Sequence, residues 1–150
     1  MANELKRLAA PELELLYKAP ILVSILIAGA DGTIDRKEIK GALATAQKKA
    51  ETKTALRIFY QNVAEDFEDK LKILEQSYPS QPAKRAALIN IELTALNDIF
   101  KKVDNSLSID IYESLKNLAL NIAKSSGGIF GSKIGPEEAE LIDLKMIERP

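Results

Sequence analysis

Apolar residues recur at steps of three and four along nearly the whole of this 150-residue chain, and no stretch alternates with period two. Such spacing places side chains on one face of an α-helix, so the chain is restricted to helices packed on helices. Ile39, Ala42, Leu43 and Ala46 make one stripe. Leu56, Phe59, Val63, Phe67, Leu71 and Leu74 make a second, read as one long helix that ends at "YPSQP", where Pro79 and Pro82 cannot continue it. From about Pro82 to Val103 two faces are apolar. Ile89, Leu93, Leu96, Phe100 and Val103 line one, and Leu88, Ile91, Ala95 and Ile99 line the other, which predicts a central helix packed on both sides. "VDNSLS" then turns the chain, Ile111, Leu115, Leu118 and Ile122 carry the next stripe, and a last helix is expected from about Pro136 to Ile147. The expected fold is all-α, a compact bundle of six to eight helices forming a single domain over 1–150.

Two absences narrow the chemistry. Without Cys there is no disulfide framework, thiolate nucleophile or cysteine zinc site, and without His the usual catalytic triads and imidazole ligands are excluded. Any metal must be held by oxygen, which favours Ca2+, Mg2+ or Mn2+. A net charge of −1 removes the usual electrostatic reason to expect nucleic acid, Lys and Arg are scattered, and Lys48–Lys49 and Lys84–Arg85 are too short to be basic tails. "APILVSILIAGA" ends in small residues like a signal-peptidase site, but Glu4, Glu12 and Glu14 precede it and the apolar run starts late. It is also shorter than the roughly 20 residues a membrane span requires. A buried helix of a cytoplasmic protein is expected, with no membrane span.

The apolar run opens the most informative stretch, "ILIAGADGTIDRKEI" at 25–39. Two readings of its acidic residues stand side by side. In the first, Asp35 is a helix N-cap accepting the N3 backbone N–H, and Glu38 at N3 reaches back to the N-cap N–H. Asp110 with Glu113 repeats that spacing in "SIDIYE", and Gly135-Pro136 with Glu138 repeats it loosely in "KIGPEE". In the second, Asp31, Gly32, Thr33, Asp35 and Glu38 match the latter half of an EF-hand calcium loop. Ile27 and Gly29 stand where the first two side-chain ligands belong, so a true EF-hand is rejected and further oxygens must come from elsewhere.

"LVSILIAGADGTIDRKEI" resembles the signature of the TerB-like domains, named for a tellurite-resistance protein. There an apolar helix ends in Ala-Asp-Gly, an acidic residue follows, and Glu opens the next helix. "LNIAKSSGGIFGSKIGPEEAELI" at 120–142 falls where the family carries its second copy of the motif. The resemblance implies an all-helical domain of two pseudo-repeated helix-turn-helix halves, associated with stress responses. It also implies a divalent-cation site from Asp31, Asp35 and Glu38 of the first motif and Glu138, beside Glu137, of the second. The second copy departs from the pattern, with Ser126-Gly127 in place of Asp-Gly and Gly135 where an acid belongs.

Two further stretches carry candidates. "SSGGIFGSKIG" at 125–135 has Gly127, Gly128, Gly131 and Gly135 for close backbone approach, and Lys133 near a helix start where an anion could sit. Its spacing matches neither phosphate-binding fingerprint, and a wide turn joining two helices, with Ile129 and Phe130 in the core, is the favoured account. Turned outward, Ile129 and Phe130 would make a patch for a protein partner. In "EDFEDK", Glu65, Glu68 and Asp69 fall on one side of the expected long helix, read as a solvated face rather than a metal patch. Ser, Tyr and Lys form no recognisable nucleophile or base constellation. The leading expectation is therefore a non-enzymatic TerB-like binding or assembly domain with protein partners. A ligand-free helical scaffold is the alternative, and an enzyme the weakest one.

Overall fold

A computed structural model describes residues 5, 7–30, 34–126 and 141–150 of the chain. All regular structure in it is helical. Among the described residues there are six helices of eleven residues or more and one of a single turn: α1 (Ala10–Ala28), α2 (Arg36–Lys49), α3 (Thr54–Glu65), α4 (Phe67–Ser77), α5 (Pro82–Thr94), α6 (Leu96–Phe100) and α7 (Asn105–Ser126).

The centre of the bundle is α1. Every residue from Ala19 to Ala28 is buried, and α1 packs against each of the other six described helices. A helix that is apolar on all sides can be stable only with neighbours all round. Its start is stabilised by half of a capping box: Ala9 has no side-chain acceptor, but its own N–H donates to Glu12 Oε1 at 2.9 Å. Pro20 removes one backbone donor from the helix interior, and Ser24 Oγ donates to the Pro20 carbonyl at 2.7 Å. No helix among the described residues is long and apolar enough to cross a membrane.

Around α1 the predicted stripes turn inward, with Ile39, Ala42, Leu43 and Ala46 buried on α2 and Ile111, Leu115, Leu118 and Ile122 buried on α7. Several boundaries differ from expectation. The stripe from Leu56 to Leu74 is two helices, α3 and α4, because Asp66 leaves helical geometry at φ −127°, ψ 31°. A break of one residue is invisible to periodicity, since each piece keeps its own spacing. Glu65 therefore ends one helix while Glu68 and Asp69 begin another, and the three do not share a helix side.

The segment from Pro82 is likewise two helices, α5 and α6, joined at Ala95, whose φ −64° and ψ −18° keep the chain nearly helical. It is not central. Ile89, Leu93, Leu96, Phe100 and Val103 are buried as expected and Ile99 joins them, but Leu88 is 43% and Ile91 69% exposed. Ala95 is exposed as well. One flank of this helix pair faces α1 and the other faces solvent.

Helix α7 starts earlier than the "SIDIYE" reading placed it. Asp104 is the capping residue, its Oδ2 accepting the Leu107 N–H at 3.3 Å and its carbonyl the Ser108 N–H at 2.9 Å. Ser108 is wholly buried and donates toward the Phe100 and Val103 carbonyls at 3.1 and 3.4 Å, closing the turn after α6. At the other end of the chain, the expected last helix does not reach Ile147. Leu144 adopts the left-handed conformation at φ 47°, and turns at Leu141–Leu144 and Leu144–Ile147 bury both Leu144 and Ile147. Asn97 fastens these turns, donating to the Met146 carbonyl at 2.9 Å and accepting the Glu148 N–H at 2.8 Å. The start of that helix, from Pro136, lies outside the described residues.

Candidate functional site

The motif turn between α1 and α2 is built from its two ends. Asp35 is the N-cap of α2, and its Oδ1 accepts the backbone N–H of Lys37 at 2.9 Å and of Glu38 at 3.4 Å. This is the Asp35 half of the predicted capping pair, and it satisfies two of the donors that a helix start leaves without partners. Glu38 stands at N3, half-buried, in the first turn of the same helix. Asp35 and Glu38 thus bring two carboxylates to the positive end of α2. Asp31 and Glu138, the other two proposed ligands, lie outside the described residues, as do Gly127, Gly128, Ile129, Phe130, Gly131 and Lys133 of the glycine-rich stretch. The Gly135–Glu138 cap lies outside them too.

The α1 end of the turn is held by a residue that the motif does not contain. Arg85, on α5, is only 6% exposed. Its Nη2 donates to the Gly29 carbonyl at 2.7 Å and its Nη1 to the Ser80 carbonyl at 3.3 Å. Gly29 is the C-cap of α1, so a guanidinium sits at the negative end of the most buried helix in the fold. Among the described residues it meets no carboxylate, and helix-end and loop carbonyls solvate its charge instead. The glycine is what lets it in: a Cβ at position 29 would lie 2.3 Å from Arg85 Nη2 and 2.8 Å from the Ile25 carbonyl oxygen. The signal for Arg85 was present but faint. It lies four residues before Ile89 and eight before Leu93, on the extension of the buried stripe.

Asp110 and Glu113 do not form a cap, correcting the reading of "SIDIYE": both lie inside α7. Asp110 accepts from Lys53 Nζ at 2.9 Å, and this contact holds the Lys53 ammonium above its usual pKa. Glu113 pairs with Arg149 at 3.0 Å, tying the C-terminal segment to α7. Nearby, Ser114 Oγ donates to the Ile111 carbonyl at 2.7 Å, so the Tyr60 hydroxyl, 2.6 Å away, donates to Ser114. Tyr60 is wholly buried, and desolvation pushes its phenol pKa well above the usual value.

Polar-walled surface grooves lie among the described residues. One of about 330 Å³ lies between α2 and α4, lined by Arg36, Lys37, Lys40, Phe67, Glu68 and Lys72 among others. Three of its lining charges are paired, Arg36 with Glu75 at 2.8 Å and Lys40 with Glu68 at 2.7 Å. A smaller one, lined in part by Lys49, Lys53, Asp110, Ser114, Asn117 and Asn121, lies between α2 and α7. Among the described residues no three acidic side chains converge where they could hold a metal ion.

The arrangement defines an all-helical bundle with a clamped, capped turn at one end of its central helix. Comparison with protein-family models, with curated proteins and with solved structures finds no match to this chain.

Proposed function

We propose that this chain is a non-enzymatic, TerB-like helical binding or assembly domain, of the class linked to stress responses, and that it acts through the turn between α1 and α2. The observation that carries this reading is the Arg85–Gly29 clamp at 2.7 Å. A buried guanidinium on α5 anchors the residue two positions before Asp31, while Asp35 anchors the start of α2. Both ends of the acidic motif are thereby held on rigid helices, which is the condition for presenting ligands in a constant geometry.

Divalent-cation binding is the part of the proposal that depends on Asp31 and Glu138. Ca2+ takes six to eight oxygens, and the described residues supply two carboxylates, one of which already spends an oxygen on α2. Calorimetric titration with Ca2+, Mg2+ and Mn2+, on wild type and Asp31→Ala, tests it together with thermal shifts. A ligand that binds only the native state must raise its stability. Heat and a shift that Asp31→Ala removes are expected, and neither heat nor a shift with any of the three ions would end the cation reading.

The cap geometry favours a second reading, a ligand-free scaffold in which the acidic residues only start helices. It predicts that Asp35→Ala costs about 1 kcal/mol of stability and that the chain takes up no cation.

A further inference from the structure

Among the described residues a helix face on α5 and α6 is left uncovered, and that face is complementary to itself. Lys84, Leu88, Ile91, Ala95 and Asp98 follow one another at steps of four, three, four and three along α5 and α6. All five are exposed, Leu88 at 43% and Ile91 at 69%. Ala95 keeps a right-handed helical conformation between the two helices, so the seam runs on across the junction. Such spacing is that of a two-helix seam, about four turns long. The seam's apolar part, Leu88, Ile91 and Ala95, is three of the four residues of the second face that the periodicity assigned to a packing partner; the fourth, Ile99, is buried within the chain.

We propose that this face pairs with the same face of a second copy, the two α5–α6 segments running antiparallel about a two-fold axis at Ile91. The order of residues supports that occupant. Rotation about Ile91 sets Ile91 against Ile91, the large Leu88 of one copy against the small Ala95 of the other, and Lys84 of one against Asp98 of the other. Apolar contacts then lie at the centre and opposite charges at both ends, as an isologous contact requires. The charges are free to pair. Lys84 has no ion-pair partner among the described residues, and Asp98 meets only Lys101, at 3.5 Å, with both side chains largely exposed. Ile73, 61% exposed on α4, has no such neighbours and serves as a control. This inference is independent of the cation reading, because no residue of the motif turn takes part.

A seam of this length is a small interface, so association is expected at roughly micromolar concentrations. Sedimentation and light scattering from about 1 μM to about 1 mM should show the mass rising from 16.5 kDa toward twice that value. Ile91→Asp should weaken association at least about tenfold with unchanged helicity and, at concentrations where the wild type is monomeric, an unchanged melting temperature, because the side chain is exposed in the monomer. Lys84→Glu should weaken it about five- to tenfold, and the double variant K84E/D98K should restore it. In this cysteine-free chain, I91C should oxidise to a covalent dimer while I73C does not. A monomer throughout the range, a double variant no better than K84E alone, or equal cross-linking of I91C and I73C would overturn the proposal.

Discussion

Replacing Gly29 by Ala would stabilise this chain if backbone preference decided the outcome, and the structure predicts the reverse. Gly29 has φ −89° and ψ 1°, which any residue adopts, so alanine brings no conformational strain. By restricting the unfolded chain it would contribute about 0.4–1 kcal/mol of stability. Against that, the new Cβ would stand 2.3 Å from Arg85 Nη2 and 3.0 Å from Arg85 Cζ. Arg85 would have to withdraw, losing the 2.7 Å bond to the Gly29 carbonyl and the 3.3 Å bond to Ser80. A hydrogen bond from a charged donor contributes about 1.5–3 kcal/mol net, and a buried guanidinium moved off its acceptors forfeits most of that. The balance is a loss of about 1–2 kcal/mol. For a chain of this size each kcal/mol corresponds to about 2–4 °C, so the melting temperature should fall by about 2–8 °C. Thermal and urea denaturation of Gly29→Ala, Arg85→Met and the double variant separate the terms. The cost of Gly29→Ala should shrink by about 1 kcal/mol or more once Arg85 is Met, leaving only the contact with the Ile25 carbonyl. A raised melting temperature for Gly29→Ala, or the same cost in both backgrounds, would refute the clamp.

Two pH effects follow from named contacts. Lys102, 2.7 Å from Glu12, and then the Ala9 N–H hold the Glu12 carboxyl below its usual pKa of 4.5. A depressed carboxyl contributes stability above the unfolded value and loses it as pH falls through the folded one. The wild type should therefore be more stable than Glu12→Gln at neutral pH, with the difference closing below about pH 4.5; a difference constant with pH would contradict this. Burial raises the Tyr60 phenol pKa, so the folded state holds that proton more tightly than the unfolded one, whose value is near 10. That contribution is complete below about pH 10 and is lost as pH rises further. Tyr60→Phe should cost about 1 kcal/mol at neutral pH, since Ser114 loses its donor, yet soften the alkaline decline. Melting curves that stay parallel across the alkaline range would show that Tyr60 is not its source.

Much of the architecture was legible along the chain because helices write their buried faces at steps of three and four. The all-α class, the buried stripes of α2 and α7, and the Asp35 cap were all readable from local order. So was the apolar character of α1, although not its rank as the central helix, since the Pro82–Val103 segment shows as much apolar surface in sequence. Which of two apolar helices is enclosed depends on how many neighbours reach it. Here α1 meets six helices, and the α5–α6 flank of Leu88, Ile91 and Ala95 meets none of the described ones closely enough to be covered.

Spacing alone also misplaced the cap at Asp110. An Asp followed three residues later by Glu looks the same at a helix start and in a helix middle, and only the earlier capping residue, Asp104, tells them apart. At the motif turn, local sequence determined how α2 begins, because a cap involves groups within three residues of each other. It did not reveal how α1 ends. The group that holds that end is Arg85, 56 positions away along the chain, and no local pattern relates it to Gly29. Only packing α5 against α1 brings a buried guanidinium to the one carbonyl that a missing side chain leaves open.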